Sequence, residues 1–200
     1  SSDLKDTGVQ QKAPEQTGTY CTSSFRGTAH ALRRDLFLRL GGYREHLIHQ
    51  GEEMDYCVRL LDQGYVVRLG TSDIIKHFES PNRSYGRMDY YGRRNEVLFG
   101  WQNVPSLRLP FYLLLTVVNT FRTASRHGRV KDMALGTLQG FLHSLQPAVN
   151  RTPVSASAYT LFRKLRRNGP IRLQELRPQL PEISHEGDSG EPVPDVQKSF

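Results

Sequence analysis

The sequence predicts a mixed α/β unit, followed by a helical C-terminal extension and a disordered tail. Three observations carry that expectation. Met54, Cys57, Val58 and Leu61 recur at i, i+3, i+4 and i+7, the buried stripe of a surface helix. Short β-branched and aromatic runs at 65–69 and 73–78 have the composition of strands. Charge is also partitioned: residues 1–107 carry 14 basic and 13 acidic side chains, residues 108–177 carry 12 and 2, and residues 178–200 carry 1 and 5. The formal charge of +7 therefore belongs to the middle segment.

Residues 1–18 are polar and aperiodic and read as a loop or frayed end. From Thr19 the chain becomes strand-like, with a strand expected at 29–33, after the break at Gly27. A short helix follows over 35–40, with Leu36, Phe37 and Leu40 facing inward, and Gly41-Gly42 stops it. The helix that opens at Glu52 should end at Gly64, which suits a left-handed position. After the two strands, residues 87–103 form a long helix closed by Pro105. Residues 19–107 thus make one unit. Residues 108–177 are a basic helical extension, with helices over 130–145, ended by Pro147, and 156–167. Residues 178–200, rich in Pro, Glu, Gly, Ser and Asp, form the acidic tail.

Composition narrows the functional classes. Cys21 and Cys57 supply neither a disulfide framework nor a zinc set, so a reducing compartment is the simplest expectation. The chain opens at Ser1 with no signal peptide in view, and a fragment or processed product is expected. The basic segment has few interleaved aromatics and no binding motif, so no nucleic-acid partner is expected.

The chemistry-bearing stretch is Gly41-Gly42-Tyr43, then Glu52-Glu53-Met54-Asp55. Three carboxylates in a first turn are stabilised by exposed N–H groups and the helix dipole, and Asp55 can pair with Arg59 at i+4. That reading is structural. Further on come His77, Ser80, Arg94-Asn95 in an aromatic-rich helix, and Asn103-x-Pro105. A histidine at a strand end is ordinarily hydrogen-bonded or exposed. Tyr90, Tyr91 and Trp101 suit packing, and Arg93 and Arg94 suit a solvated face or a diphosphate clamp. Gly27 marks a bulge or a close approach of backbone to ligand.

Taken in order, these motifs resemble the C-terminal, acceptor-binding half of family 2 inverting glycosyltransferases of GT-A fold, the rhamnosyl- and galactofuranosyl-type enzymes of cell-surface glycans. In that family a strand ending in Arg (here Arg33) precedes a helix and a Gly-Gly-Phe/Tyr turn, then Glu-Asp-x-Asp, Gly-Tyr, and a His shortly before a Ser. The likeness covers residues 25–105 and, more loosely, the helices to about 145. It implies an incomplete GT-A-type unit with Glu53 as general base beside Glu52 and Asp55. Glu53 departs from the family's Asp by one methylene. It implies His77 at a divalent metal, Mg²⁺ or Mn²⁺, on the diphosphate of a nucleotide-sugar donor. Gly27, Arg33, Gly41, Gly42, Tyr43, Ser80, Arg94 and Asn95 would line the acceptor and donor sites. No Asp-x-Asp and no parallel-sheet repeat before residue 25 is present, so the nucleotide-binding half is expected to be missing.

The chemistry wants these residue types for its own reasons. Direct displacement at an anomeric carbon needs a base within hydrogen-bond reach of the attacking hydroxyl. A divalent cation offsets charge on the leaving diphosphate.

Residues 109–118 form an apolar run, well short of the roughly 20 residues that span a bilayer. The run is either the core-facing part of a helical cap or an element lying in a membrane interface. In the second case basic residues of 122–131 and 163–167 would sit over anionic headgroups. That would place the protein in the cytoplasm, peripherally at the inner face of the plasma membrane, with a glycan or lipid-linked acceptor. The competing class is a non-catalytic basic module that binds an anionic membrane surface or nucleic acid through 108–177.

Overall fold

The structure, a computed structural model, describes residues 12–72 and 84–183. Among these it contains a three-stranded antiparallel sheet and seven helices. In chain order they are β1 Tyr20–Thr22, α1 Arg34–Arg39, α2 Glu52–Asp62, β2 Val67–Arg68, α3 Tyr85–Asn103 and α4 Leu109–His127. Then come α5 Val130–Ser144, α6 Ala156–Asn168, β3 Ile171–Arg172 and α7 Leu173–Leu176. A 3₁₀ turn, Arg177–Gln179, follows. The α/β expectation holds in part, because the described chain is mostly helical and its strands are only two or three residues long.

Both glycine stops work as read. At the end of α1 the Gly41 N–H donates to Leu38 and the Gly42 N–H to Phe37, at 3.0 and 2.9 Å. Gly41 and Gly42 have φ of 74° and 61°. At the end of α2 the Gly64 and Tyr65 N–H groups reach Leu61 and Leu60 in the same pattern. This double closure satisfies carbonyls the helix leaves open, and it needs a left-handed residue that glycine adopts without steric cost.

The strand expected at 29–33 is not formed: those residues are a loop between β1 and α1. The strand lies earlier, at Tyr20–Thr22, with Cys21 opposite Arg68 on one side and Ile171 on the other. β1 is thus central, and both of its edges are taken by β2 and β3. The later segment is held by packing, with Phe25 and Leu32 against Leu36, Tyr56 and Leu60. The strand expected at 73–78 lies outside the described residues.

The change of charge at 107/108 is not a gap in packing. One core joins Cys21 of β1, Val58 and Leu61 of α2, Phe99 of α3, Phe162 and Leu165 of α6 and Leu176 of α7. α6 opens with the Ser155 hydroxyl accepting from the Ala158 N–H, an ordinary N-cap. The first residues of the expected tail, up to 183, are part of the packed structure. Leu180 packs on the same core, and a Cβ on Gly64 would stand 2.6 Å from the Pro181 carbonyl. At the other end, the Ala13 N–H donates to the Gly70 carbonyl at 3.1 Å, so part of the expected frayed end is tied down.

α3 and α5 approach closely at Gly136 and Gly140. A Cβ on Gly136 would fall on the Tyr90 carbonyl, and one on Gly140 would stand 2.7 Å from the Arg94 carbonyl. Gly136→Ala and Gly140→Ala should each lower stability by about 1–3 kcal/mol in urea unfolding, through overpacking against backbone. Alanine is the better helix former by ~1 kcal/mol. An unfolding midpoint raised by either substitution would show that the two helices are free to separate.

Candidate functional site

The site is built around the N-terminus of α2, and one carboxylate sets its geometry. Asp55 is fully buried. Its Oδ1 accepts from Arg44 Nη1 and from Asn103 Nδ2, each at 2.7 Å. Its Oδ2 accepts from Arg59 Nε at 3.1 Å, with Arg59 Nη2 at 3.0 Å. Arg59 passes the connection on, donating to the carbonyls of Leu40 and of Gly42, the latter at 2.7 Å. Arg44 Nη2 donates to Thr152 Oγ1 at 2.8 Å. Burial pulls the Arg44 guanidinium below its ordinary value, and Asp55 opposes that pull. The i+4 pairing of Asp55 with Arg59 is present. Arg44, Asn103 and Thr152 complete it from distant parts of the sequence.

α3 fixes the loop that leads into α2. Asn95 Nδ2 donates to the carbonyls of His49 and Gln50 at 2.9 and 2.6 Å. Arg94 Nη1 donates to the His46 carbonyl at 2.9 Å and to Asn95 Oδ1 at 2.7 Å, while Nη2 faces the His143 ring at 3.3 Å. His143 is held below its ordinary value by burial first, then by Arg94 and His46. Gln50 takes a φ of 67°, rare outside glycine, Asn and Asp, and Asn95 grips its carbonyl. Arg94 and Asn95 thus act here as backbone clamps.

Around Glu53 several of the expected residues converge. A Cβ on Gly27 would stand 2.5 Å from Glu53 Oε1, so the missing side chain is what leaves room for the carboxylate. Burial pushes the Tyr43 hydroxyl up to about 12, and the charges of Glu53 and Glu52 add to it. Tyr43 therefore stays neutral and keeps its proton to donate. Its oxygen lies 3.3 Å from His30 Nε2. His30 Nδ1 lies 3.2 Å from the Arg26 carbonyl, which fixes the proton on Nδ1 and leaves Nε2 to accept from Tyr43. The Phe25 ring stacks on His30 with centroids 4.3 Å apart.

Glu52 differs from its neighbours. Its Oε2 is buried with no hydrogen-bond partner among the described residues. Burial raises its carboxyl above the ordinary value, and the charge on Glu53 adds to the rise. Cys57 is buried behind the cluster with its thiol pushed up to about 12 by burial, so it is inert as a nucleophile.

The remaining expected residues fall elsewhere. Arg33 is exposed and pairs with Asp35 at 2.6 Å. Gly41 and Gly42 shape the turn that presents Tyr43, and the Gly42 carbonyl is held by Arg59. His77 and Ser80 lie outside the described residues. As for a divalent cation, Asp55 has both oxygens filled by Arg44, Arg59 and Asn103, which leaves none for a metal. The buried Oε2 of Glu52 has no hydrogen-bond partner among the described residues and so has capacity to spare. No group of three or more His, Cys, Asp or Glu side chains among the described residues is placed to hold an ion.

His30 and Phe25 escaped the sequence reading. The signal available was Phe25-x-Gly27-x-x-His30, a short aromatic-glycine-histidine run before the first helix.

Two measurements test this geometry. Asp55→Ala should cost about 3–5 kcal/mol, because it leaves the half-buried guanidinium groups of Arg44 and Arg59 without their shared partner. A loss below ~1 kcal/mol would show that the hub is not what holds the turn. Glu52→Gln should raise the thermal midpoint at pH 7. A carboxyl held above its ordinary value penalises the folded state once ionised, and that penalty vanishes when both states are protonated, below about pH 4.3. The advantage of the variant should therefore fade as pH falls. A midpoint lowered at pH 7 would give Glu52 a stabilising partner instead.

Comparison with protein-family models, with curated proteins and with solved structures gives no match to this chain.

Proposed function

We propose that this chain is the acceptor-side part of an inverting glycosyltransferase, with Glu53 as the general base. The observation that carries this reading is the convergence of Gly27, Gly42-Tyr43, Glu52 and Glu53 at one helix N-terminus, although the sequence separates them by up to 26 positions. Part of the ordered motif set that resembles the family, Gly27, Tyr43 and the Glu52-Glu53 pair, is thus gathered around one carboxylate.

In the proposed reaction an acceptor hydroxyl sits beside Glu53, in the space bordered by Tyr43. Its oxygen attacks the anomeric carbon as the bond from that carbon to the nucleoside diphosphate breaks. The hydroxyl proton passes to the Glu53 carboxylate, and the configuration inverts. Tyr43, neutral and held by donating its one proton to His30 Nε2, offers its oxygen as an acceptor for a neighbouring hydroxyl of the acceptor sugar. Asp55 takes no proton in this scheme, because its oxygens are occupied by Arg44, Arg59 and Asn103. A Mg²⁺ or Mn²⁺ ion on the donor diphosphate would offset the leaving charge, with His77 and the spare oxygen of Glu52 as contributions from this chain. The donor is a nucleotide-sugar, and the acceptor is a cell-surface glycan or a lipid-linked saccharide. The proposed location is the cytoplasmic face of the plasma membrane, held peripherally. No helix among the described residues is long and apolar enough to cross a membrane.

Glu53→Gln keeps the shape of the side chain and removes its capacity to take a proton. In the full-length gene product it should lower the transfer rate by ~10²–10⁴-fold and leave donor affinity unchanged, measured by initial rates and by donor titration. Near-normal turnover in Glu53→Gln, with loss in Glu52→Gln, would move the base to Glu52.

A further inference from the structure

α4 and α5 are packed inside out. The buried positions of α4 include Thr116, Thr120 and Ala124, and those of α5 are Gly136, Thr137, Gly140 and Ser144 with Met133 as the one large apolar side chain. Thr120 and Thr137 meet across the pair at 3.3 Å. The outward positions of α4 are Phe111, Leu114, Leu115, Val118 and Phe121, with Phe111 and Phe121 61% and 63% exposed. Those of α5 continue the pattern with Leu135, Leu138 and Leu142, and Leu145 just beyond the helix is 77% exposed.

Water favours the opposite arrangement, with Leu and Phe inside and Thr and Gly outside. Helices that associate in an apolar solvent gain nothing by hiding leucines from it. They pack through small residues and hydroxyls that let backbones approach closely. Gly136-x-x-x-Gly140 against the α3 carbonyls is such a contact. An isolated exposed leucine needs no explanation, but two adjacent stripes of them exceed what a free surface ordinarily carries.

The charges on the same faces choose among apolar partners. Arg122 and Arg126 follow Val118 at steps of four, so they continue the exposed arc of α4. Lys131, Leu135, Leu138 and Leu142 follow one another at steps of four, three and four, so a cation opens the arc of α5. All three cations are exposed. An apolar band that ends in cations fits a bilayer interface with anionic headgroups.

We propose that the outward face of α4 and α5 docks into the interface of an anionic lipid bilayer, with Phe111, Leu114, Val118, Leu138 and Leu142 among the acyl chains. This rests on the peripheral location proposed above and adds the face that makes it. It does not depend on the transfer chemistry.

The test uses the full chain with sedimented vesicles of phosphatidylcholine and phosphatidylglycerol. Binding should fall as salt rises and should be weaker on phosphatidylcholine alone. Leu114→Trp and Leu138→Trp should each be quenched by lipid brominated in the upper acyl chain. Leu114→Glu with Leu138→Glu should abolish binding while the circular dichroism spectrum is retained. Should that pair unfold, Arg122→Gln with Arg126→Gln keeps the test open, with affinity for anionic vesicles falling at least about tenfold. Vesicle binding unaffected by both variant pairs would overturn the assignment of this face and leave the peripheral location standing. Failure to bind vesicles at low salt would overturn both. A concentration-dependent dimer without lipid, broken by the glutamate pair, would mean that a second copy covers the face, and would also overturn the proposal.

Discussion

Asp55, buried among Arg44, Arg59 and Asn103, is the constraint on which the site depends. Removing a carboxylate from water is costly, and only several well-aligned donors repay it. Here the donors come from the turn after α1, from α2 itself and from the end of α3. The pairing therefore works as a joint between chain segments. Through Arg59 it holds the carbonyls of Leu40 and Gly42, and so fixes the turn that carries Tyr43. Through Arg44 it reaches Thr152, in the stretch before α6. The loop and helix N-terminus that carry Glu53 are thus tied together by a carboxylate whose own oxygens are fully engaged.

A second line of support runs through α3. Arg94 holds the His46 carbonyl with its guanidinium, while its own carbonyl faces Gly140 of α5. Asn95 grips the strained carbonyl at Gln50. One turn of α3 therefore joins the loop before Glu52 to the helical pair with the outward leucines. If that pair lies in a membrane interface, the site is held at a set height above it. Such an arrangement suits an acceptor presented from the bilayer.

Local signals were legible in the sequence. The stripe from Met54 to Leu61, the stops at Gly41-Gly42 and Gly64, and the end of α3 before Pro105 all depend on neighbours a few positions apart, and all are formed. What was not legible depends on partners far away. Residues 29–33 have strand-like composition, but Phe25 and Leu32 instead pack against Leu36, Tyr56 and Leu60, and β1 pairs with the distant β2 and β3. Arg94 and Asn95 looked like ligand contacts because their backbone partners at 46–50 lie almost 50 positions earlier. Asp55 belonged to an acidic motif, and only Asn103 and Arg44 show that it is satisfied internally. The apolar run at 109–118 reads in the sequence as one surface, core-facing or membrane-facing. In the helix it divides, with Tyr112 and Leu113 turned partly inward and Phe111 and Leu114 outward.

The central claim is a single displacement assisted by one carboxylate base, and its stereochemistry tests it most directly. The full-length gene product would be offered a panel of nucleotide-sugars together with saccharide acceptors, and the anomeric configuration of the glycosidic bond formed read by proton NMR. The account requires the configuration opposite to that of the donor. Retention would contradict it, because a second displacement would then need a nucleophile that neither Glu53 as base nor the inert Cys57 provides.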